Sequence, residues 1–404
     1  MARDALRDAA VQDRLLQRLR SRAADLVTSE ELTERLRQAC ESGRPLRVKF
    51  GIDPTFTDVH VGHAVPIRVL RWFQEAGHLP VLILGDATAR LGDPTGRNEQ
   101  RPPLSRTEVQ GNASLYLEQI GVLLDLAGCE VRHNAEWFEA MDFFDALKLA
   151  ARGTVARLLE RDDFQKRLGK GLPIHLHEML YPLMQGWDSV QVRADVEIGG
   201  SDQLFNLHMG RLLQERDGQP PQVCLTTPLL LGTDGRKMSK TFGNHIALQA
   251  PAGEIYGRVM SLRDESMEDW FRLLTDLPEE EIRSLLEGHP REAKARLARE
   301  VTAWLRGAGA AEEAAREFDR RFKERQLPSE IPEKRVPAGV RSLASLLKET
   351  GLCSSTSEAR RLVAQGGVRV EGVVKEDPLE EIEVGVGGMV VQVGKRRVLR
   401  IYPA

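Results

Sequence analysis

The chain of 404 residues has only four cysteines, and Cys40, Cys129, Cys224 and Cys353 lie far apart with no C-x-x-C pair among them. That spacing excludes a disulfide framework and a cysteine-based zinc site, and leaves free thiols suited to a reducing compartment. No apolar run approaches the ~18 residues that a membrane span needs. The first residues, M-A-R-D-A-L-R-D-A-A, are charged and lack the apolar core of a secretory leader. A soluble, cytoplasmic protein without membrane contact is therefore expected. Charge of one sign is missing too, since 57 Lys plus Arg stand against 60 Asp plus Glu for a net of -3. No global field points to nucleic acid, so any RNA contact must use a local patch. At ~100 to 200 residues per domain, two or three domains are expected.

What is present begins with Lys49 to His63, K-F-G-I-D-P-T-F-T-D-V-H-V-G-H. Arg47 to Ile52 alternates as a strand does, while Pro54, Thr57 and Asp58 are turn and N-cap types. Val65, Leu70 and Phe73 then fall at helical spacing up to Gly77, a left-handed stop. His60 and His63 sit at the mouth of this helix with Gly62 between them, where free N–H groups and the helix dipole suit phosphate. Taken alone, H-x-G-H reads equally well as two surface histidines beside a turn glycine. Leu79 to Asp86 is the continuous apolar run of a strand buried on both faces. Strand, helix and strand give a right-handed parallel crossover, hence an open α/β sheet whose ligands bind beyond the strands' carboxyl ends. The loop from Thr88 to Arg97 would lie there; its Asp93 can meet a ligand ammonium, although a turn role before Pro94 is commoner. Residues 104 to 170 read as mostly helical, with a break at Asn134 to Trp137. By fold-level analogy such an insertion is a natural subunit interface.

In I-H-L-H-E-M-L-Y-P-L-M-Q-G-W-D-S-V, Tyr181, Gln185 and Asp188 share one helix face, which reads as a pocket wall for a small polar ligand or as a solvated surface. Pro182 would kink that helix. Ala194 to Asn206 is a further strand-to-helix turn, ending at Gly199 and Gly200 and restarting at Ser201 or Asp202. Leu229 to Asn244 holds a turn at Thr233 to Gly235, then Lys237 and Lys240 on a glycine-flanked loop. Two lysines there can close on a polyphosphate and hold its developing charge. K-x-x-K alone is a common surface pattern.

H-V-G-H followed about 175 residues later by K-M-S-K-T resembles the paired signatures of class I aminoacyl-tRNA synthetases. F-G-I-D-P-T, L-G-D-P-T-G, Y-P-L-M-Q-G-W-D-S-V and I-G-G-S-D-Q are similar to bacterial tyrosyl-tRNA synthetases, over nearly the whole chain. The resemblance implies a Rossmann-like doubly wound parallel sheet, and a reaction in which Mg-ATP activates L-tyrosine before transfer to tRNA(Tyr), with no tightly bound cofactor or metal. It implies catalytic roles for His60, His63, Lys237, Lys240 and Thr241. ATP would meet Asp53, Thr55, Gly62, Gly200 and Asp202 besides His60, His63 and Lys240. Tyrosine would meet Gly51, Asp93, Tyr181, Gln185 and Gln203, with Asp188 accepting from its hydroxyl. Lys49 stands where many members have a tyrosine that helps bind that hydroxyl. Trp187, Glu197 and Thr241 also depart from the commonest pattern, as in a second bacterial subgroup.

The same resemblance divides the chain into a catalytic domain (1–246), a helical domain near the anticodon stem (247–327), a proline-spaced linker (328–338) and a small α+β RNA-binding domain (339–404). There Arg360, Arg361 and Arg369 would face phosphates, helped by Lys395, Arg396 and Arg397. Ten Lys plus Arg against eight Asp plus Glu over 339–404 make any basic face a matter of arrangement. A homodimer is implied. Three rivals remain. A tryptophanyl synthetase would find Asp188 a poor partner for an indole, and a pantothenate synthetase-like enzyme has no reason to carry 339–404. A synthetase-like RNA-binding protein without catalysis would not need His60, His63, Lys237 and Lys240.

Overall fold

Six strands build the central sheet: β1 (Asp25–Val27), β2 (Arg47–Ile52), β3 (Leu79–Leu84), β4 (Glu130–His133), β5 (Val196–Gly200) and β6 (Val223–Thr227), in the spatial order β1-β6-β5-β2-β3-β4. All neighbours are parallel except β1, which runs antiparallel to β6. The computed structural model describes residues 2–55, 59–93, 105–239, 242–322, 331–385, 387–394 and 397–404. The chain forms two compact units, Met1–Ala308 and Gly309–Ala404.

The sheet follows from the apolar runs. Val81 to Leu84 are buried on β3, and Val48, Val196 and Val223 have no exposure. Each such aliphatic side chain contributes about 1.5–3 kcal/mol by leaving water. Between β2 and β3 runs helix α1 (Val61–Glu75), which buries Val65, Leu70 and Phe73 and stops before Gly77 at φ +87°. Helix α2 (Leu176–Val192) runs as one element with Pro182 inside it. It is followed after β5 by α3 (Leu204–Arg216). α2 and α3 approach closely at glycines, since a Cβ on Gly186 would lie 3.0 Å from the backbone of Gly210.

Several expectations need correction. β4 lies in the segment expected to be mostly helical, and β1 answers to no pattern read in the sequence. Thr88–Leu91 forms a short helix within the expected loop. The cap of α1 is His60; Thr57 and Asp58 lie outside the described residues.

Beyond the sheet, four helices (Ala252–Met260, Met267–Leu274, Glu279–Glu287 and Pro290–Arg306) complete the first unit around Trp270, Phe271, Leu297 and Val301. The second unit has a five-stranded sheet with helices Leu343–Glu349 and Thr356–Ala364, packed through Leu343, Leu347, Val363, Val368, Val391 and Ile401. No helix among the described residues is long and apolar enough to cross a membrane. All four cysteines are free thiols.

Candidate active site

The predicted site residues of the first unit that are described gather beyond the carboxyl ends of β2, β3 and β5, where strand order reverses around β2. Gly51 marks the opening: it lies on a central strand yet is exposed, and a Cβ there would meet no atom within 4 Å.

At the start of α1 the His60 and His63 rings stack with centroids 3.9 Å apart, and the His60 N–H donates to His63 Nδ1 at 3.3 Å. Gly62 is needed here. A Cβ on it would come 3.0 Å from the His60 ring and 3.4 Å from Met238 Sδ, the methionine of K-M-S-K. The two motifs therefore meet. The chain after the lysine loop clamps the same turn: Val61 N–H donates to Ile246 O and Leu248 N–H to Val59 O, both at 2.9 Å. The loop itself closes on Asn244. Its amide donates to Asp234 Oδ1 at 2.7 Å and to the Lys237 carbonyl at 3.2 Å, and accepts from Ser239 N–H at 2.8 Å. The Asn244 amide, with the Arg236 N–H and guanidinium, holds the Asp234 carboxyl well below the usual range. Lys237 reaches outward, 68 % exposed, with Nζ 3.9 Å from Asp202 Oδ2 beside Gly200 at the end of β5. Lys240 and Thr241 lie outside the described residues.

On α2, Tyr181 and Asp188 are buried, so the polar face is a wall and not a solvated surface. Tyr181 Oη donates to Asp53 Oδ2 at 2.9 Å and Thr88 Oγ1 to Asp53 Oδ1 at 2.7 Å. Asp53, expected beside ATP, is thus tied to the α2 wall; Thr55 N–H donates to its carbonyl at 2.7 Å. Burial, with Asp53 beside it, drives the Tyr181 phenol well above its ordinary value and keeps it a neutral donor. Asp188 accepts from Trp137 Nε1 at 2.9 Å and Asn134 Nδ2 at 3.4 Å. Burial pushes its carboxyl up to about 7, while Lys49 and those two donors oppose the rise. A carboxylate that already takes one indole N–H does not by itself exclude an indole ligand. That sequence argument against tryptophan loses its force.

A hydrogen-bonded chain runs along the floor. Gln203 Nε2 donates to Asp93 Oδ2 at 3.0 Å; Asn206 Nδ2 donates to Gln203 Oε1 at 2.8 Å and to Gln185 Oε1 at 2.9 Å; Gln185 Nε2 donates to Glu197 Oε1 at 3.2 Å. Glu197 in turn pairs with Lys49 Nζ at 2.9 Å. Asp93, Gln185 and Gln203 are thus connected through Asn206 and their own amides. Thr88, Asn134, Trp137, Ser189 and Asn206 escaped the sequence reading. The Asn134 to Trp137 break was visible, but no short-range pattern linked it to a carboxylate on α2.

Beside this site, a cavity of about 550 Å³ with Ala87, Leu91, Phe138, Leu183 and Met184 in its wall uses the other flank of α2. The Phe143–Ala150 helix that borders it leaves Phe143 72 % and Phe144 68 % exposed. In the second unit Arg360, Arg361 and Arg369 are all exposed. Arg397 instead donates to the Leu352 carbonyl at 2.6 Å and to Glu358 at 3.1 Å, and Lys395 and Arg396 lie outside the described residues.

Residues 41–323 match the family described as tRNA synthetases class I (W and Y), and residues 341–386 match the S4 domain. The chain is 46% identical over 396 residues to a tyrosine–tRNA ligase of Moorella thermoacetica, covering 96% of each chain. It is 47% identical over 390 residues to that of Thermotoga maritima, covering 95% of this chain and 96% of the relative. Among solved structures, the tyrosyl-tRNA synthetase complexed with L-tyrosine from Archaeoglobus fulgidus aligns at TM-score 0.60 and 25% identity, over 75% of this chain and 99% of that one. A C-terminally truncated mitochondrial tyrosyl-tRNA synthetase of Aspergillus nidulans aligns at 0.63 and 25%, over 76% and 94%. The chain belongs to the class I tRNA synthetases of the W and Y family, among its tyrosine–tRNA ligases.

Proposed function

We propose a division of labour along the sheet edge for this tyrosine–tRNA ligase. The tyrosine carboxylate attacks the α-phosphorus of Mg-ATP, the bond to the β-phosphate oxygen breaks, and pyrophosphate leaves. A hydroxyl at the 3' end of tRNA(Tyr) then attacks the adenylate carbonyl and AMP departs. No covalent enzyme intermediate is needed, so the protein contributes positioning and charge stabilisation.

In this reading His60, His63 and the N–H groups of α1 hold the phosphates at Gly62. Lys237, with Lys240 and Thr241, stabilises the departing pyrophosphate, and Gly200 and Asp202 border the nucleotide. Magnesium arrives with ATP. Asp188 accepts from the substrate hydroxyl, Asp93 with Tyr181 and Gln185 meets the ammonium, and Gly51 leaves room for the ligand. Asp53 orients Tyr181 from the ATP side. Arg360, Arg361 and Arg369 face tRNA phosphates, and the helices of 247–327 face the anticodon stem. The outward Phe143 and Phe144 suit a homodimer contact, and the free thiols suit the cytoplasm.

The observation that carries the reading is the approach of Met238 Sδ to Gly62, 3.4 Å from where a Cβ would stand, together with the buried Asp188 on α2. Pyrophosphate exchange into ATP tests it. Exchange is expected with tyrosine and not with tryptophan or phenylalanine; no exchange with any amino acid would favour an RNA-binding protein without catalysis.

A further inference from the structure

Two departures from the commonest family pattern, Lys49 and Glu197, are partners. They lie 148 positions apart in the chain, yet both are fully buried and Nζ stands 2.9 Å from Oε1. Lys49 Nζ also donates to the Gln185 carbonyl at 2.7 Å and to Ser189 Oγ at 2.8 Å. An ammonium has three protons, so Lys49 is saturated and has none to offer a substrate hydroxyl. Glu197 is equally committed, accepting from Ser189 Oγ at 3.1 Å, from Gln185 Nε2 and from Gln222 Nε2. Gly210 makes room for the cluster, because a Cβ there would fall 3.0 Å from Ser189 Oγ and closer still to Gln222.

The pair holds one turn of α2. Lys49 grips it at residues 185 and 189, on either side of Asp188. It also sits on the same face of β2 as Gly51, two residues on, where the site opens. We propose that Lys49 and Glu197 are a positioning pair that sets the charge of Asp188 and the orientation of Gln185, so that tyrosine is selected without either residue touching it. This rests on the reading of Asp188 as acceptor of the substrate hydroxyl.

The electrostatics agree with the geometry. The charged groups facing Asp188 are Lys49 from β2, which lowers its proton affinity, and Glu197 from β5, which raises it less. Trp137 and Asn134 face it as donors, and Tyr181 on the same helix is neutral. Asp188 titrates at about 7, so the ionised acceptor is lost as pH falls through that value. Without Lys49 the loss sets in at higher pH; without the Glu197 charge it sets in at lower pH.

The test is equilibrium binding of L-tyrosine from roughly pH 5.5 to 8.5 by the full chain and by Lys49→Met, Glu197→Gln and the double variant. Lys49→Met is expected to move the acid limb upward by about one unit, roughly fivefold weaker binding at pH 7 with recovery toward pH 8.5. Glu197→Gln moves it downward. The double variant removes both charges and keeps the test open if Lys49→Met does not fold; its limb lies above the parent's and below that of Lys49→Met. A pH-independent loss with an unmoved limb, or shifts of the same sign in both single variants, would overturn the pair's role. If the unaltered protein binds no tyrosine or shows no acid limb, it is the reading of Asp188 that fails.

Discussion

Lys49 and Lys237 stand at the two ends of the proposed site and sit in opposite environments. Lys49 has no exposure and three partners, all protein groups. Lys237 is 68 % exposed, and the Asp202 carboxylate stands 3.9 Å from its Nζ. The difference follows from what each end of the site must do. Choosing an amino acid by one hydroxyl needs a dry, fixed acceptor, whose neighbours are already satisfied and cannot rearrange to suit a wrong ligand. Stabilising pyrophosphate needs a cation still free to transfer its attraction to a charge that appears only during reaction.

Breaking the amino-acid end should have the largest effect. Asp188→Asn keeps the shape and the acceptor for Trp137 but removes the charge. We expect it to lose between about 10³ and 10⁵ in discrimination of tyrosine from phenylalanine, the upper figure being the value known for the tyrosyl-tRNA synthetases themselves. Exchange rates with the two amino acids measure it, and unchanged discrimination would remove Asp188 from its role. Next comes Lys49→Met, which strands a buried carboxylate and should cost about 3–5 kcal/mol of stability in denaturant titration. Adding Glu197→Gln should restore most of that, because a buried ion pair replaced as a unit is close to neutral. At the phosphate end, Lys237→Ala should slow adenylate formation by about 10² to 10³ and leave stability unaltered. A Lys237→Ala protein destabilised like Lys49→Met would erase the contrast.

Much of this was legible in the sequence because local periodicity carried it. The β2 turn into α1, the apolar run of β3, the buried face of α2 and the turn before Lys237 each follow from apolar spacing or from turn residues. β4 did not show, since E-V-R-H has a single apolar residue and lies at the sheet edge, where burial does not enforce a pattern. β1 is only three residues long and half-buried. In the proposed site, the motifs singled out the Gly62 turn and the Met238 loop, which the structure brings together. The environment of Asp188 was hidden, because its neighbours come from two segments far apart in the chain, residues 134–137 and β2 with Lys49, that only the parallel crossovers bring to α2. Lys49 and Glu197 were each seen as departures, but nothing in either segment alone said that one answers the other.

Side-by-side measurement of tyrosine affinity and single-turnover adenylate formation, in the Lys237→Ala protein and in the Lys49→Met, Glu197→Gln double variant, tests the division most directly. The account predicts a crossed result at pH 7: unchanged tyrosine affinity with slowed chemistry for the first, and weakened, pH-dependent tyrosine affinity for the second, with its rate at saturating tyrosine and pH 8.5 near that of the parent. Both variants altering the same quantity at all pH values would contradict it.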